Sequence, residues 1–303
     1  MFNKFIASIL PYFPARLIWI FSCRYIAGKT IEDGIRVSKE LNGAGAEVTS
    51  DLLGEFIKSM EEAVANRDEY LKIIDRFTAE GVKGNFSVKP TMFGLLIDEE
   101  ACYRHIRDVV KRASEKNSFV RIDMEDSQCV DMEIDLYRKL KAEFPHSVGL
   151  VIQAYMRRSM ADLEAMMDMH TPESPLNFRL CKGIYIEPEA IAYKGYQEVR
   201  DNYLLILDFM LKNKIYVGIA THDKYLIDKA LMLIERHKAD KSRYEFQMLY
   251  GVTPELRGSV IQKGHLMRIY VPFGEKWFGY STRRLKENPK MASHIIKALF
   301  IRG

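Results

Sequence analysis

Cysteine is scarce and scattered: Cys23, Cys102, Cys129 and Cys181 are the four in 303 residues. They form no CxxC pair and no Cys/His ligand spacing, which excludes a zinc module, argues against a disulfide framework and leads us to expect no metal and a reducing, cytoplasmic compartment. Runs of like charge are missing as well. The 45 Lys+Arg and 41 Asp+Glu leave a net charge of +4, spread along the chain without the basic footprint of a nucleic-acid-binding domain. No apolar run approaches the roughly 20 residues of a spanning helix. The N-terminal stretch is apolar at 5–10 and 17–23, but Pro11, Pro14, Arg16 and Arg24 interrupt it and no small-residue cleavage site follows. A short helix packed on the domain is expected there, with peripheral membrane contact as the alternative. No Pro/Gly/Ser-rich linker divides the chain, which favours one domain over two. GxSxG, HExxH and Walker sequences are absent, and GAGAEV from Gly43 has neither the third glycine nor the preceding strand of a dinucleotide fingerprint.

What is present is a regular alternation of short apolar segments with longer amphipathic ones. Strands are predicted at 46–50, 85–88, 120–124, 149–154, 177–181, 216–220, 245–249 and 268–271. Helical patterns cover 53–79, 99–115, 132–143, 160–169, 187–212, 224–237 and 254–262, and a final one, 275–288, follows the eighth strand. Eight strand-then-helix repeats without tight hairpins predict an α/β fold, a (β/α)8 TIM-type barrel. The expected division is a helical segment at 1–45 packing on a barrel at 46–303, with the last helix over the barrel mouth.

Strand alternation divides the side chains between lumen and helices. One face collects Asn85, Ser87, Lys89, Arg121, Asp123, Glu125, Gln153, Tyr155, Arg179, His222, Glu245, Gln247, Arg268 and Tyr270; the other is Phe86, Val88, Ile122, Ile152, Phe178, Leu180, Val217, Ile219, Phe246 and Ile269. A purely structural barrel fills its interior with branched apolar side chains, whereas this one buries ionisable groups that need partners or a ligand. Lys89, Asp123, Gln153, His222 and Tyr270 fall near the carboxyl ends of their strands, where barrel enzymes carry their chemistry.

Several segments suit a charged ligand. In YSTRRLKENP, Tyr280, Arg283, Arg284 and Glu287 share one helical face; they form either a solvated i, i+4 pair or, over a barrel mouth, a bidentate guanidinium clamp for a small carboxylate. Lys89 closes the second strand, as an exposed charge, a carboxylate partner or a Schiff-base nucleophile. Asp123 and Glu125 in RIDMED lack a nearby His, so an ion pair of Asp123 with Lys89 or an arginine is expected in place of a metal site. FRLCKGIY sets Arg179 and Lys182 beside Gly183, adequate for a pyrophosphate. ATHD brings Thr221 and His222, the latter a core histidine or a phosphate donor. The fifteen methionines read as core filler.

The runs SVKP at Lys89, RIDME at Asp123, VIQAY at Gln153, RLCKGIY at Arg179, ATHD at His222, FQMLYGV at Phe246, YVPFG at Tyr270 and YSTRRLKENP at Tyr280 together resemble proline dehydrogenase in its short single-function bacterial form. The resemblance spans roughly 48–289 in the family's order. It implies a distorted barrel holding FAD noncovalently without a Rossmann domain, and hydride transfer from C5 of L-proline to flavin N5, giving 1-pyrroline-5-carboxylate. It further implies electrons passed to a quinone or other acceptor and a separate pyrroline-5-carboxylate dehydrogenase downstream. Carried over, Arg283 and Arg284 bind the proline carboxylate with Lys89 opposite them, and Leu249, Tyr270 and Tyr280 pack around the ring. Asp123 organises Lys89 and the pocket, and Arg179 lies against the flavin. Met124, Gln153, Lys182, Gly183, Ile184, Thr221 and His222 contact FAD, and Glu287 joins an ion pair closing the last helix. Ile184, Cys181 and Pro90 depart from the family's usual residues. Two other readings stay open: a Schiff-base aldolase or lyase using Lys89 or Lys182, and a proline-sensing flavoprotein without turnover.

Overall fold

A computed structural model describes residues 18–19 and 22–281. Helix α1 (Ile31–Gly43) leads into β1 (Glu47–Leu52), α2 (Met60–Ala79), β2 (Gly84–Val88), α3 (Glu99–Glu115), β3 (Val120–Ile122) and α4 (Val130–Glu143). Then follow β4 (Val148–Gln153), α5 (Ser159–Ala165), β5 (Asn177–Cys181), α6 (Tyr196–Lys212), β6 (Tyr216–Ala220), α7 (Lys224–Arg236), β7 (Tyr244–Leu249), α8 (Pro254–Gln262) and β8 (Met267–Phe273). The eight strands pair in sequence order and close into one barrel. Every pairing is parallel, and β8 returns to β1 with Thr49 opposite Tyr270. Among the described residues no helix is long and apolar enough to cross a membrane.

Helix starts follow local chemistry. Thr30 and Asp33 form a capping box on α1, and Ser59, Asp98 and Asp223 each accept a first-turn backbone N–H of α2, α3 and α7. The outward faces of the strands, including Val48, Phe86, Val88, Ile122, Phe178, Val217, Phe246 and Ile269, are buried under the helices. Phe77 of α2 joins that layer, stacked on Phe273 and edge-on to Phe86. Truncating such a ring to alanine costs about 3 to 5 kcal/mol.

The lumen is polar, and glycine makes room for it. A Cβ on Gly218 of β6 would lie 2.4 Å from Gln247 Nε2, and one on Gly149 of β4 2.3 Å from Arg121 Nη1. On the floor, the buried Arg268 guanidinium donates to Glu245 (2.8 and 2.9 Å), Glu47 (2.6 Å) and the Val48 carbonyl (3.0 Å). Above it, Gln247 donates to Glu245 at 2.6 Å and accepts from Arg179 Nε at 2.6 Å, so one polar chain runs up the barrel axis.

The structure corrects several predicted boundaries. β1 runs on to Leu52, and β3 stops at Ile122 rather than 124. Helix α2 begins at Met60, not 53, because Ser59 caps it and Gly54 packs against Met92. The helix predicted at 160–169 breaks into α5 and a 3-10 turn, Met167–Met169. The predicted helix 187–212 is helical only from Tyr196; Pro188 begins a turn that Ile191 and Ala192 close, and Gly195 caps the true start. Residues 277–281 are helical, and the remainder of the predicted last helix lies outside the described residues.

Candidate active site

Alternation along the strands and the residues just beyond them brings Asp51, Ser87, Lys89, Asp123, Arg179, Gln247 and Tyr270 together at the carboxyl mouth of the barrel. Ser87 Oγ and Arg179 Nη1 each donate to Asp123 Oδ1 at 2.6 Å, and the Tyr270 hydroxyl donates to Oδ2 at 2.8 Å. Lys89 Nζ donates to Asp51 Oδ1 at 2.5 Å and to the Tyr270 oxygen at 3.3 Å, and lies 3.8 Å from Asp123. Two carboxylates and two cations thus alternate in one buried cluster. Such pairing offsets the desolvation of each charge and leaves a large penalty for removing one partner.

The cluster fixes its own protonation. Burial works against the Lys89 ammonium, but Asp51 and Asp123 outweigh it and hold its pKa well above the ordinary lysine range. Burial likewise opposes ionisation of Asp123, yet Arg179 and Lys89 keep its carboxyl below the usual value. Asp51 moves the other way: burial, reinforced by Asp123, raises it against the pull of Lys89. Burial, Asp123 and Asp51 push the Tyr270 phenol well above its usual range, so it stays a donor.

Above this cluster opens a cleft of about 410 Å³. Of the sixteen site residues expected from the sequence, thirteen lie within the described region, and all thirteen line it: Lys89, Asp123, Met124, Gln153, Arg179, Lys182, Gly183, Ile184, Thr221, His222, Leu249, Tyr270 and Tyr280. Arg283, Arg284 and Glu287 lie outside the described residues. Gly183 has φ +99°, and a Cβ there would lie 2.1 Å from the Tyr155 ring, so both backbone and space demand glycine. Gln153 Nε2 donates to the Glu125 carbonyl at 2.8 Å. The backbone N–H of Leu249 donates to His222 Nε2 at 2.8 Å, so that nitrogen is an acceptor and the ring's other nitrogen carries the proton of the neutral form. Tyr280 reaches the cleft from the helical turn 277–281, whose Trp277 packs edge-on against Trp19, 4.7 Å between centroids.

Arg179 and Lys182 do not act as the adjacent pair that the sequence suggested. Arg179 points into the lumen toward Asp123 and Gln247, whereas Lys182 stands at the rim, 3.6 Å from Asp223 and over the Tyr196 ring. Asp223 also accepts a two-pronged bond from Arg200 (2.9 and 2.8 Å) and one from the Tyr196 hydroxyl (2.7 Å), which outweigh its burial and hold its carboxyl well below the usual range.

The ion pair expected of Asp123 with Lys89 or an arginine is made with Arg179 at 2.6 Å, with Lys89 3.8 Å away, whereas the nearer carboxylate to Lys89 is that of Asp51 at 2.5 Å. One expectation needs correction. Glu125 does not face the lumen with Asp123, because β3 has ended three residues earlier and the alternation no longer applies; its carboxylate is buried against Thr91. Asp51 went unrecognised. Its signal was its parity with Glu47 and Thr49 on the lumen side of β1, in register with Ser87.

Known proteins resemble this chain in sequence and fold. The family model for proline dehydrogenase matches residues 35–297. The chain is 35% identical over 276 residues to proline dehydrogenase 1 of Bacillus subtilis, covering 91% of this chain and 89% of that protein. It is 33% identical over 286 residues to the proline dehydrogenase of Deinococcus radiodurans, covering 93% and 91%. Among solved structures, proline utilization A (PutA) from Bdellovibrio bacteriovorus, inactivated by N-propargylglycine, matches with a TM-score of 0.82 at 26% identity; the match covers 89% of this chain and 32% of that one. The chain therefore spans about a third of that larger protein. By sequence and fold, this chain belongs to the proline dehydrogenase family.

Proposed function

We propose that the chain oxidises L-proline to 1-pyrroline-5-carboxylate with noncovalently held FAD. The observation that carries the reading is the alternating cluster Asp51, Lys89, Asp123 and Arg179 at the base of a cleft lined by thirteen of the site residues expected from the sequence. The residues fit a flavin: at Gly183 the positive φ and the Tyr155 ring exclude a side chain, leaving bare backbone along the cleft, and among the described residues Arg179 Nη2 is buried without a hydrogen-bond partner in the cleft wall. Met124, Gln153, Lys182, Gly183, Ile184, Thr221 and His222 would hold it, with Arg179 against its ring. When bound, FAD supplies a two-electron acceptor for the hydride leaving proline C5.

In this reading Lys89, with Arg283 and Arg284, holds the substrate carboxylate, and Leu249, Tyr270 and Tyr280 enclose the ring. The C=N bond forms from the nitrogen lone pair as the C5–H bond breaks, so the amine must react neutral. The nearby Lys89 and Arg179 charges disfavour an ammonium there. Asp123 keeps Arg179 and Tyr270 in place, and Glu287 secures the last helix. A Schiff-base mechanism at Lys89 is disfavoured, because a nucleophilic lysine needs a lowered pKa and this one is raised by its carboxylate neighbours.

Residues 46–303 form the catalytic barrel in this account and 1–45 a segment seated on it. The free thiols of Cys102, Cys129 and Cys181 fit a cytoplasmic setting, with electrons passing to a quinone through peripheral membrane contact and a separate dehydrogenase consuming the product. The test is proline-dependent reduction of a soluble acceptor using proline deuterated at C5. A primary isotope effect with trapped pyrroline-5-carboxylate supports the reading. Borohydride capture of a substrate carbonyl on Lys89 or Lys182, or proline binding without turnover, contradicts it.

A further inference from the structure

Glu125 contacts no part of the cleft through its side chain, yet it joins four consecutive segments of the barrel mouth. Its Oε2 accepts the Thr91 backbone N–H at 2.9 Å and its Oε1 the Thr91 hydroxyl at 2.7 Å. Thr91 sits in the 3-10 turn Pro90–Phe93 that begins directly after Lys89. The same Thr91 hydroxyl oxygen accepts the Phe56 backbone N–H at 3.1 Å, tying in the segment after β1. The Glu125 backbone N–H donates to both Glu133 oxygens of α4 (3.0 and 3.2 Å), and its carbonyl accepts from Gln153 at the end of β4. Asp123 is two residues upstream. Glu125 is completely buried, and each of its carboxyl oxygens has one donor, both supplied by Thr91.

We propose that Glu125 is a positioning residue for proline oxidation: it fixes the turn carrying Lys89 against the strand end carrying Asp123, and thereby sets where the substrate carboxylate is held. This rests on the function proposed above. It gives Glu125 an effect on substrate affinity that acts through Lys89, distinct from a general contribution to stability. Glu125 is isosteric with glutamine, which keeps an acceptor for the Thr91 N–H and weakens the charge-assisted pair, so Glu125→Gln loosens the turn without opening a cavity.

The test uses the flavin-loaded enzyme carrying Glu125→Gln or Thr91→Val, each alone and combined with Lys89→Met. Glu125→Gln is expected to raise KM for proline about tenfold, with kcat within threefold of the parent and flavin content unchanged. Thr91→Val, which removes the hydroxyl's bonds to Glu125 and to the Phe56 N–H but keeps the backbone bond to Glu125, is expected to raise KM about threefold and carries the test should Glu125→Gln not fold. In the Lys89→Met background neither change should alter KM further, since coupled residues do not act additively. An unchanged KM in the single variants, or an equal rise with and without Lys89, overturns the proposal. A parent enzyme that does not oxidise proline overturns the functional reading instead.

Discussion

Lys89 Nζ lies 2.5 Å from Asp51 Oδ1, and the Asp51 carboxylate is wholly buried. The pair anchors the lysine on the β1 side of the barrel, while Asp123, 3.8 Å away, is left to hold Arg179. Replacing Asp51 by Asn removes the charge without changing the volume and leaves Lys89 to compete with Arg179 for Asp123. A charge-assisted bond of this kind contributes about 1.5 to 3 kcal/mol. Asp51→Asn is expected to lower the urea midpoint accordingly and to raise KM for proline several-fold. An unchanged midpoint and KM would remove Asp51 from the account.

Arg268 has a purely structural part to play on the barrel floor. Arg268→Met leaves Glu245 buried without its cation, at a cost of about 3 to 5 kcal/mol. Adding Glu245→Leu removes the stranded charge and should recover most of that loss in denaturant unfolding. If the double variant is no more stable than the single one, the floor is not held by this pair.

Stability should also depend on Glu125 through pH. Burial, the largest influence, and Asp123 push its carboxyl up to about 7, while the Thr91 bonds and Lys89 oppose the rise. A carboxyl raised on folding favours the folded state fully below its unfolded value of 4.5, and that favour is lost as pH climbs through about 7. Between pH 5 and pH 8 the loss is roughly 2 to 3 kcal/mol. Glu133, buried beside it and also raised, acts with the same sign. Urea unfolding at the two pH values should therefore show a smaller difference in Glu125→Gln than in the parent; equal differences would refute the assignment.

Gly183 offers a test of the cofactor side. Alanine there meets both the positive φ of +99° and the Tyr155 ring; the backbone strain alone is on the order of 1 to 3 kcal/mol. Gly183→Ala should release flavin on dilution at least tenfold more readily than the parent, read by the fluorescence of free flavin. Full retention would place the flavin elsewhere.

The barrel was legible in the sequence because period-2 strands with a polar lumen and an apolar outer face recur eight times, and Ser87, Arg179, Gln247 and Tyr270 follow that parity. Legibility failed where the period stops. Glu125 follows the end of β3, so its side chain turns away from the lumen despite matching parity. Asp51 was hidden because the predicted strand stopped at 50, one residue short of it, whereas the backbone of Asp51 pairs with Ser87 of β2 and Pro272 of β8 and its side chain meets Lys89 just beyond β2. The segment 187–195 has helical composition, yet Glu187 is held by Ser127 and the Pro188 turn diverts the chain before Gly195.

The central claim is that this cleft brings proline to a bound flavin. Its most direct test is the visible spectrum of the purified protein before and after adding L-proline without oxygen. A yellow protein is expected, whose visible flavin absorbance bleaches on addition of proline, stoichiometrically with pyrroline-5-carboxylate formed. A flavin-loaded protein whose spectrum proline leaves unreduced would contradict it.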